Sequence, residues 1–189
     1  MQLEYISFVW MGIEVLGAVG VGVLARSLAL VAFGGDSLVE LLSAFVVVRH
    51  LKEDIGGSRM LGLRTARFSS ALLLSLLPII GLGAIYSYLW DIRPEASPLG
   101  ILIAVGAVIV MPYLWLEKRQ IGQETNCLPL MIDAVESATC FFMSLALLGG
   151  LFAEYFLGLW WADYVATGVI LCFVAKEALE SCHEAGIGG

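Results

Sequence analysis

Long apolar runs separated by short polar breaks make up nearly the whole chain. Six of them, at about 6–25, 27–49, 69–90, 98–116, 128–150 and 156–178, approach the roughly 20 residues that an α-helix needs to cross a hydrocarbon core about 30 Å thick. The pattern predicts an all-α membrane protein: a six-helix transmembrane bundle over residues 1–180, read as one domain, and a short tail over 181–189. The first run has no basic segment before it and no small-residue cleavage site, so it is expected to stay in the membrane rather than act as a signal peptide.

The runs differ in what interrupts them. The first holds Gly12, Gly17, Ala18, Gly20 and Gly22, small residues that let helices approach closely in lipid, with Glu14 among them as a helix-to-helix hydrogen-bond partner or a proton carrier. Pro78 interrupts the third run and Pro112 lies near the end of the fourth; neither run has a charged residue at depth, and both read as scaffold. Trp160 and Trp161 at the opening of the sixth run mark the outer membrane interface, and Asp163 reads as an exposed helix cap.

The second run, SLALVAFGGDSLVELLSAFVVVRH, is the exception that organises the rest. Asp36 and Glu40 stand four residues apart near its middle, on one helical face. An acidic side chain at that depth costs about 2.5 to 3.5 kcal/mol on insertion scales, so it points to a bundle interior, a water-filled path or a bound cation. The fifth run, LPLMIDAVESATCFFMSLALLGG, repeats the theme. Asp133, Glu136, Ser137, Cys140 and Ser144 follow helical spacing and form a polar stripe on an apolar helix.

Composition agrees with the pattern. Hydrophobic residues make up 60% of the 189, charged residues only 14%, and the mean hydropathy is +0.92, which excludes an ordinary soluble domain. The net charge of −7 describes no acidic surface, because Glu14, Asp36, Glu40, Asp133 and Glu136 all fall within apolar stretches. Basic residues sort by loop. With a cytoplasmic amino terminus, Arg49, Lys52, Arg59, Arg64, Arg67, Lys118, Arg119 and Lys176 fall inside, and only Arg26 and Arg93 outside. The positive-inside rule therefore puts both termini in the cytoplasm, and it explains the basic 49–67 loop without any nucleic-acid partner.

Cys127, Cys140, Cys172 and Cys182 show no CxxC spacing, and Cys127 and Cys172 read as small apolar fillers between helices. Two ligands on a tail, Cys182 and His183, are too few for a metal site. Asp36 and Glu40 offer two oxygens at i, i+4, and Glu136 and Cys140 offer two more ligand atoms at i, i+4. Packed together, the two helices make a four-ligand site for a divalent cation at mid-depth. A rotation of the fifth helix by about one residue gives the ligand role to Asp133 or Ser137 instead.

These runs carry a family resemblance. SLALVAFGGDSLVELLSAFVVVR is similar to the second membrane helix of the cation diffusion facilitator (cation efflux) superfamily, where an acidic or histidine residue and an acidic one four positions later bind the transported metal. DAVESATC resembles the fifth helix, with Glu136 at the family's histidine position and Cys140 at its aspartate. The closest likeness is to a short bacterial branch related to the transmembrane protein 163 family, through Glu14, the GxDSxxE-type second helix and the Trp160–Asp163 WWAD opening of the sixth. The resemblance implies a multi-pass protein of the bacterial inner membrane that moves a divalent metal ion. It implies a homodimer as well, although the carboxy-terminal domain that usually secures the dimer is not expected here.

Three carboxylates favour harder ions such as Mn²⁺, while a thiolate draws Zn²⁺ and other borderline ions; Zn²⁺ is the first expectation, with Mn²⁺ or Fe²⁺ behind it. The metal is cargo, and no permanently bound cofactor is expected. Protons and metal compete for the same ligand atoms, so alternating access would couple metal export to proton entry. The alternative is a non-transporting membrane subunit or metal sensor that modulates a partner. An enzyme is not expected: HExxH is absent, and Phe33 stands where an intramembrane GxGD motif requires glycine.

Overall fold

A computed structural model describes residues 2–53, 59–95, 97–125 and 128–184. Six helices run through them: α1 Gln2–Ala25, α2 Leu28–Glu53, α3 Arg59–Leu89, α4 Pro98–Thr125, α5 Leu128–Leu157 and α6 Ala162–Glu184. No strand occurs among the described residues. The molecule is a helical membrane bundle. By length and composition, segments of four helices suffice to cross a bilayer: Ser7–Ala25, Ser70–Leu89, Pro98–Glu124 and Ala134–Leu157. The other two helices, α2 and α6, bury Asp36 and Asp163.

Several helix ends depart from the limits that the apolar runs suggest, and each has a local cause. Apolar content marks where lipid ends, whereas backbone hydrogen bonding marks where a helix ends. The helix α5 continues to Leu157 because the first left-handed residue is Gly158, at φ +67°, whose amide closes the helix on the Glu154 carbonyl at 3.0 Å. The sixth helix accordingly starts at Ala162 and not at 156. Beyond the expected end at 116, α4 runs on to Thr125 through a polar stretch supported by the Gln120–Glu124 bond of 3.0 Å. Its start matches the sequence signal: Pro98 takes the first position, and the Ser97 hydroxyl accepts the Gly100 amide at 3.1 Å.

The helices α1 and α2 meet in a turn where Arg26 takes φ 54° and the Ser27 amide returns to the Gly22 carbonyl at 2.9 Å. The turn is completed from across the bundle. Asp163, at the start of α6, accepts hydrogen bonds from the Ser27 hydroxyl and from the amides of Leu28 at 3.0 Å and Ala29 at 3.4 Å. It therefore caps α2 and is only 2% exposed, which corrects the expectation of an exposed cap on its own helix. Four amides at a helix start lack internal partners, and a buried start must find acceptors elsewhere.

The helix α2 packs against α1, α3, α5 and α6, while α4 packs on α5 and α1, and α3 on α6. Small residues set the α1–α2 spacing. A Cβ on Gly34 would stand 2.8 Å from Val19 Cγ2, and one on Gly22 would stand 2.9 Å from the Val31 amide nitrogen. Phe33, Met143, Leu147, Ile170 and Val174 fill the interior, whereas Leu16, Leu24, Ile79, Leu82, Ile109 and Phe156 point outward as a lipid-facing coat. Cys172 also faces outward and fills no helix interface; Cys127 lies outside the described residues.

Candidate metal site

The central helix α2 turns Asp36 into the bundle beneath the Gly34–Gly35 step, where α1 and α3 both come close. Asp36 is completely buried, and Glu40, one turn further on, is half-buried. Across from them, α5 presents the buried Cys140. Its thiol lies 3.0 Å from Glu40 Oε1 and 3.9 Å from Asp36 Oδ2, and one ligand atom from each of the three residues falls within 4.8 Å of the others. For a tetrahedral ion with bonds of about 2.0–2.3 Å, ligand atoms are separated by about 3.3–3.8 Å. The observed separations bracket that range.

The remaining residues of the predicted constellation are distributed around this group. Glu136 is half-buried one turn from Cys140 and acts electrostatically on both Asp36 and Glu40, but it is not within the 4.8 Å group. Ser137 faces α4, where its hydroxyl accepts a hydrogen bond from Lys118 Nζ at 3.1 Å. The side chain of Asp133 lies outside the described part of α5. Glu14, on α1, is completely buried: its Oε1 accepts the Trp10 indole N–H at 2.7 Å, while Oε2 has no hydrogen-bond partner among the described residues. Asp36 Oδ1 is likewise without one.

Two polar residues near the site were not singled out by their sequence context. Lys118 resembles a membrane-edge anchor beside Arg119, yet it is 2% exposed and reaches across to α5. Glu177 sits next to exposed Lys176 at the polar end of α6, yet its Oε2 is buried with no hydrogen-bond partner among the described residues, and it interacts electrostatically with Asp36 and Glu40. The available signal was spacing: Glu177 follows Ile170 and Val174 on the buried face of α6.

Unpaired carboxyl oxygens in a dry interior are costly unless a proton or a metal ion occupies them. Two carboxylates and a thiol, each offering one ligand atom within 4.8 Å of the others, could hold a metal ion. The fold is that of a helical membrane protein. The chain belongs to the cation efflux transmembrane domain family, whose pattern it matches over residues 5–186. It is thus a divalent cation transporter, and a multi-pass membrane protein by the same token. Comparison with curated proteins gave no significant match.

Proposed function

We propose that the protein exports Zn²⁺ from the cytoplasm in exchange for protons, with Asp36, Glu40 and Cys140 as cargo ligands and Glu136 joining them when the ion arrives. The observation that carries this reading is the convergence of two carboxylate oxygens and one sulfur within 4.8 Å at the crossing of α2 and α5. The mixed oxygen and sulfur set favours Zn²⁺ over Mn²⁺ and Mg²⁺. Glu136 is the candidate for a fourth ligand because it lies one turn from Cys140 on α5 and its charge acts on both Asp36 and Glu40. Without metal, a proton is the cation available to satisfy the buried oxygen of Asp36, so loading a metal ion displaces protons.

The asymmetry of basic residues supports a cytoplasmic position for both termini, and with them for the far ends of α2 and α6. The experiment is metal uptake into proteoliposomes with an internal pH dye, using Zn²⁺, Mn²⁺ and Fe²⁺. Wild-type protein should take up Zn²⁺ fastest and move protons oppositely, and Asp36→Ala should do neither. Unchanged flux in Asp36→Ala would remove the site; flux that neither needs nor dissipates a pH gradient would remove the antiport. Metal binding without flux in the wild type would favour a sensor or subunit.

A further inference from the structure

The relative depths of the acidic side chains follow from the cap at the α2–α6 corner. Asp163 bonds to the amides of Leu28 and Ala29, so α2 and α6 start at the same level and run in the same direction. At 1.5 Å per residue, Asp36 lies about 12 Å below Leu28, Glu40 about 18 Å below it, and Glu177 about 21 Å below Asp163. Glu177 is thus a step further than Glu40 towards the end at which both helices leave the bundle.

Its surroundings change character at that level. Ile170, Val174 and Ala178 continue the buried face of α6, and Glu177 adjoins this face with Oε2 inside and the rest of the side chain half-exposed. On the outer face, Lys176 and Glu180 form an exposed ion pair at 3.6 Å, and His183 is exposed as well. The charges that act on Glu177 are those of Asp36, Glu180 and Lys176, and its own acts on Glu40. A buried carboxylate oxygen with no hydrogen-bond partner among the described residues is a poor stabilising element. It is a good stepping stone for a cation.

We propose that Glu177 of α6 is the handover carboxylate that receives the divalent cation at the cytoplasmic side and delivers it to Asp36 and Glu40. This inference rests on the metal-export reading given above. Glu177 positions the cargo in transit and is not one of the ligands that fix it at the centre. Its removal therefore slows loading more than it weakens equilibrium binding.

The test uses the full chain, Zn²⁺ as the probe, equilibrium binding in detergent and initial uptake rates in proteoliposomes, for Glu177→Gln, Glu177→Asp and Asp36→Asn. Glu177→Gln should keep Zn²⁺ affinity within about threefold while uptake falls by about tenfold or more, and Glu177→Asp should recover much of the rate. Asp36→Asn should lose both binding and uptake. Uptake by Glu177→Gln within about twofold of wild type, beside an inactive Asp36→Asn, would overturn the handover role and leave the central site standing. A loss of binding in Glu177→Gln as deep as in Asp36→Asn would overturn it as well, by making Glu177 a ligand of the centre. Should Glu177→Gln not fold, Glu177→Met takes its place: uptake lower by about tenfold or more at an affinity within about threefold supports the role, and uptake within about twofold of wild type or a loss of binding as deep as in Asp36→Asn overturns it. Wild-type behaviour of Asp36→Asn would instead sink the export reading itself.

Discussion

The thiol of Cys140 on α5 stands 3.0 Å from Oε1 of Glu40 on α2, joining the two helices. Replacing the thiol with a third carboxylate should therefore change which ion is preferred, more than whether the bundle assembles. In Cys140→Asp the centre becomes all-oxygen, and the ratio of Zn²⁺ to Mn²⁺ uptake should fall by about tenfold, equivalent to about 1.4 kcal/mol. Competition between the two ions in proteoliposomes measures it. An unchanged ratio would show that Cys140 does not touch the cargo.

The positions of Asp36, Glu40 and Cys140 were legible in the sequence because charge and thiol are conspicuous in an apolar helix and i, i+4 spacing fixes their face. The outer ends of α5 and α6 were not, since Gly158 interrupts a stretch whose hydropathy barely changes. Asp163 misled for a related reason: its position just before an apolar run fits a cap, but only the fold reveals that the helix it caps is α2. Lys118 and Glu177 lie in polar flanks, where sequence cannot distinguish a side chain that snorkels outward from one that reaches inward.

The Asp163 cap predicts a stability effect separate from transport chemistry. Asp163→Ala leaves the amides of Leu28 and Ala29 buried without their acceptor and should cost about 1–3 kcal/mol. Ser27→Ala removes one hydroxyl that donates to Asp163 and accepts the Leu30 amide, and should cost about 1 kcal/mol. Because the two residues share a bond, the double variant should lose less than the sum. Unfolding in detergent micelles, followed for all three variants, checks this, and strict additivity would contradict it.

Close helix approach predicts opposite outcomes for two glycines. In Gly34→Ala the new methyl meets Val19 Cγ2 at 2.8 Å and the Val19 amide nitrogen at 2.9 Å, so α1 must move away from α2, at a cost of about 1–3 kcal/mol. Gly149→Ala places its methyl in open space and should be neutral or gain up to about 1 kcal/mol from helix propensity. Equal unfolding temperatures for the two variants would argue against a sterically set α1–α2 spacing.

Trp10 and Glu14 make the last case, in which a bond serves to satisfy a buried acid more than to add stability. The Trp10 ring rests on Gly106 of α4, where a Cβ would come within 2.6 Å of it, and its N–H donates to Glu14 at 2.7 Å. Trp10→Phe keeps most of the ring but removes the donor, leaving a fully buried carboxyl group with less to satisfy it; this should cost about 1–3 kcal/mol. Glu14→Met removes the need for the donor, so Trp10→Phe should cost far less in that background than in the wild type. Glu14 lies outside the 4.8 Å ligand group, and Zn²⁺ affinity should stay within about threefold in both single variants while stability shifts. A double-mutant cycle by thermal unfolding, paired with Zn²⁺ binding, separates these effects. A loss of Zn²⁺ binding in Glu14→Met as deep as in Asp36→Asn would move Glu14 into the cargo site itself.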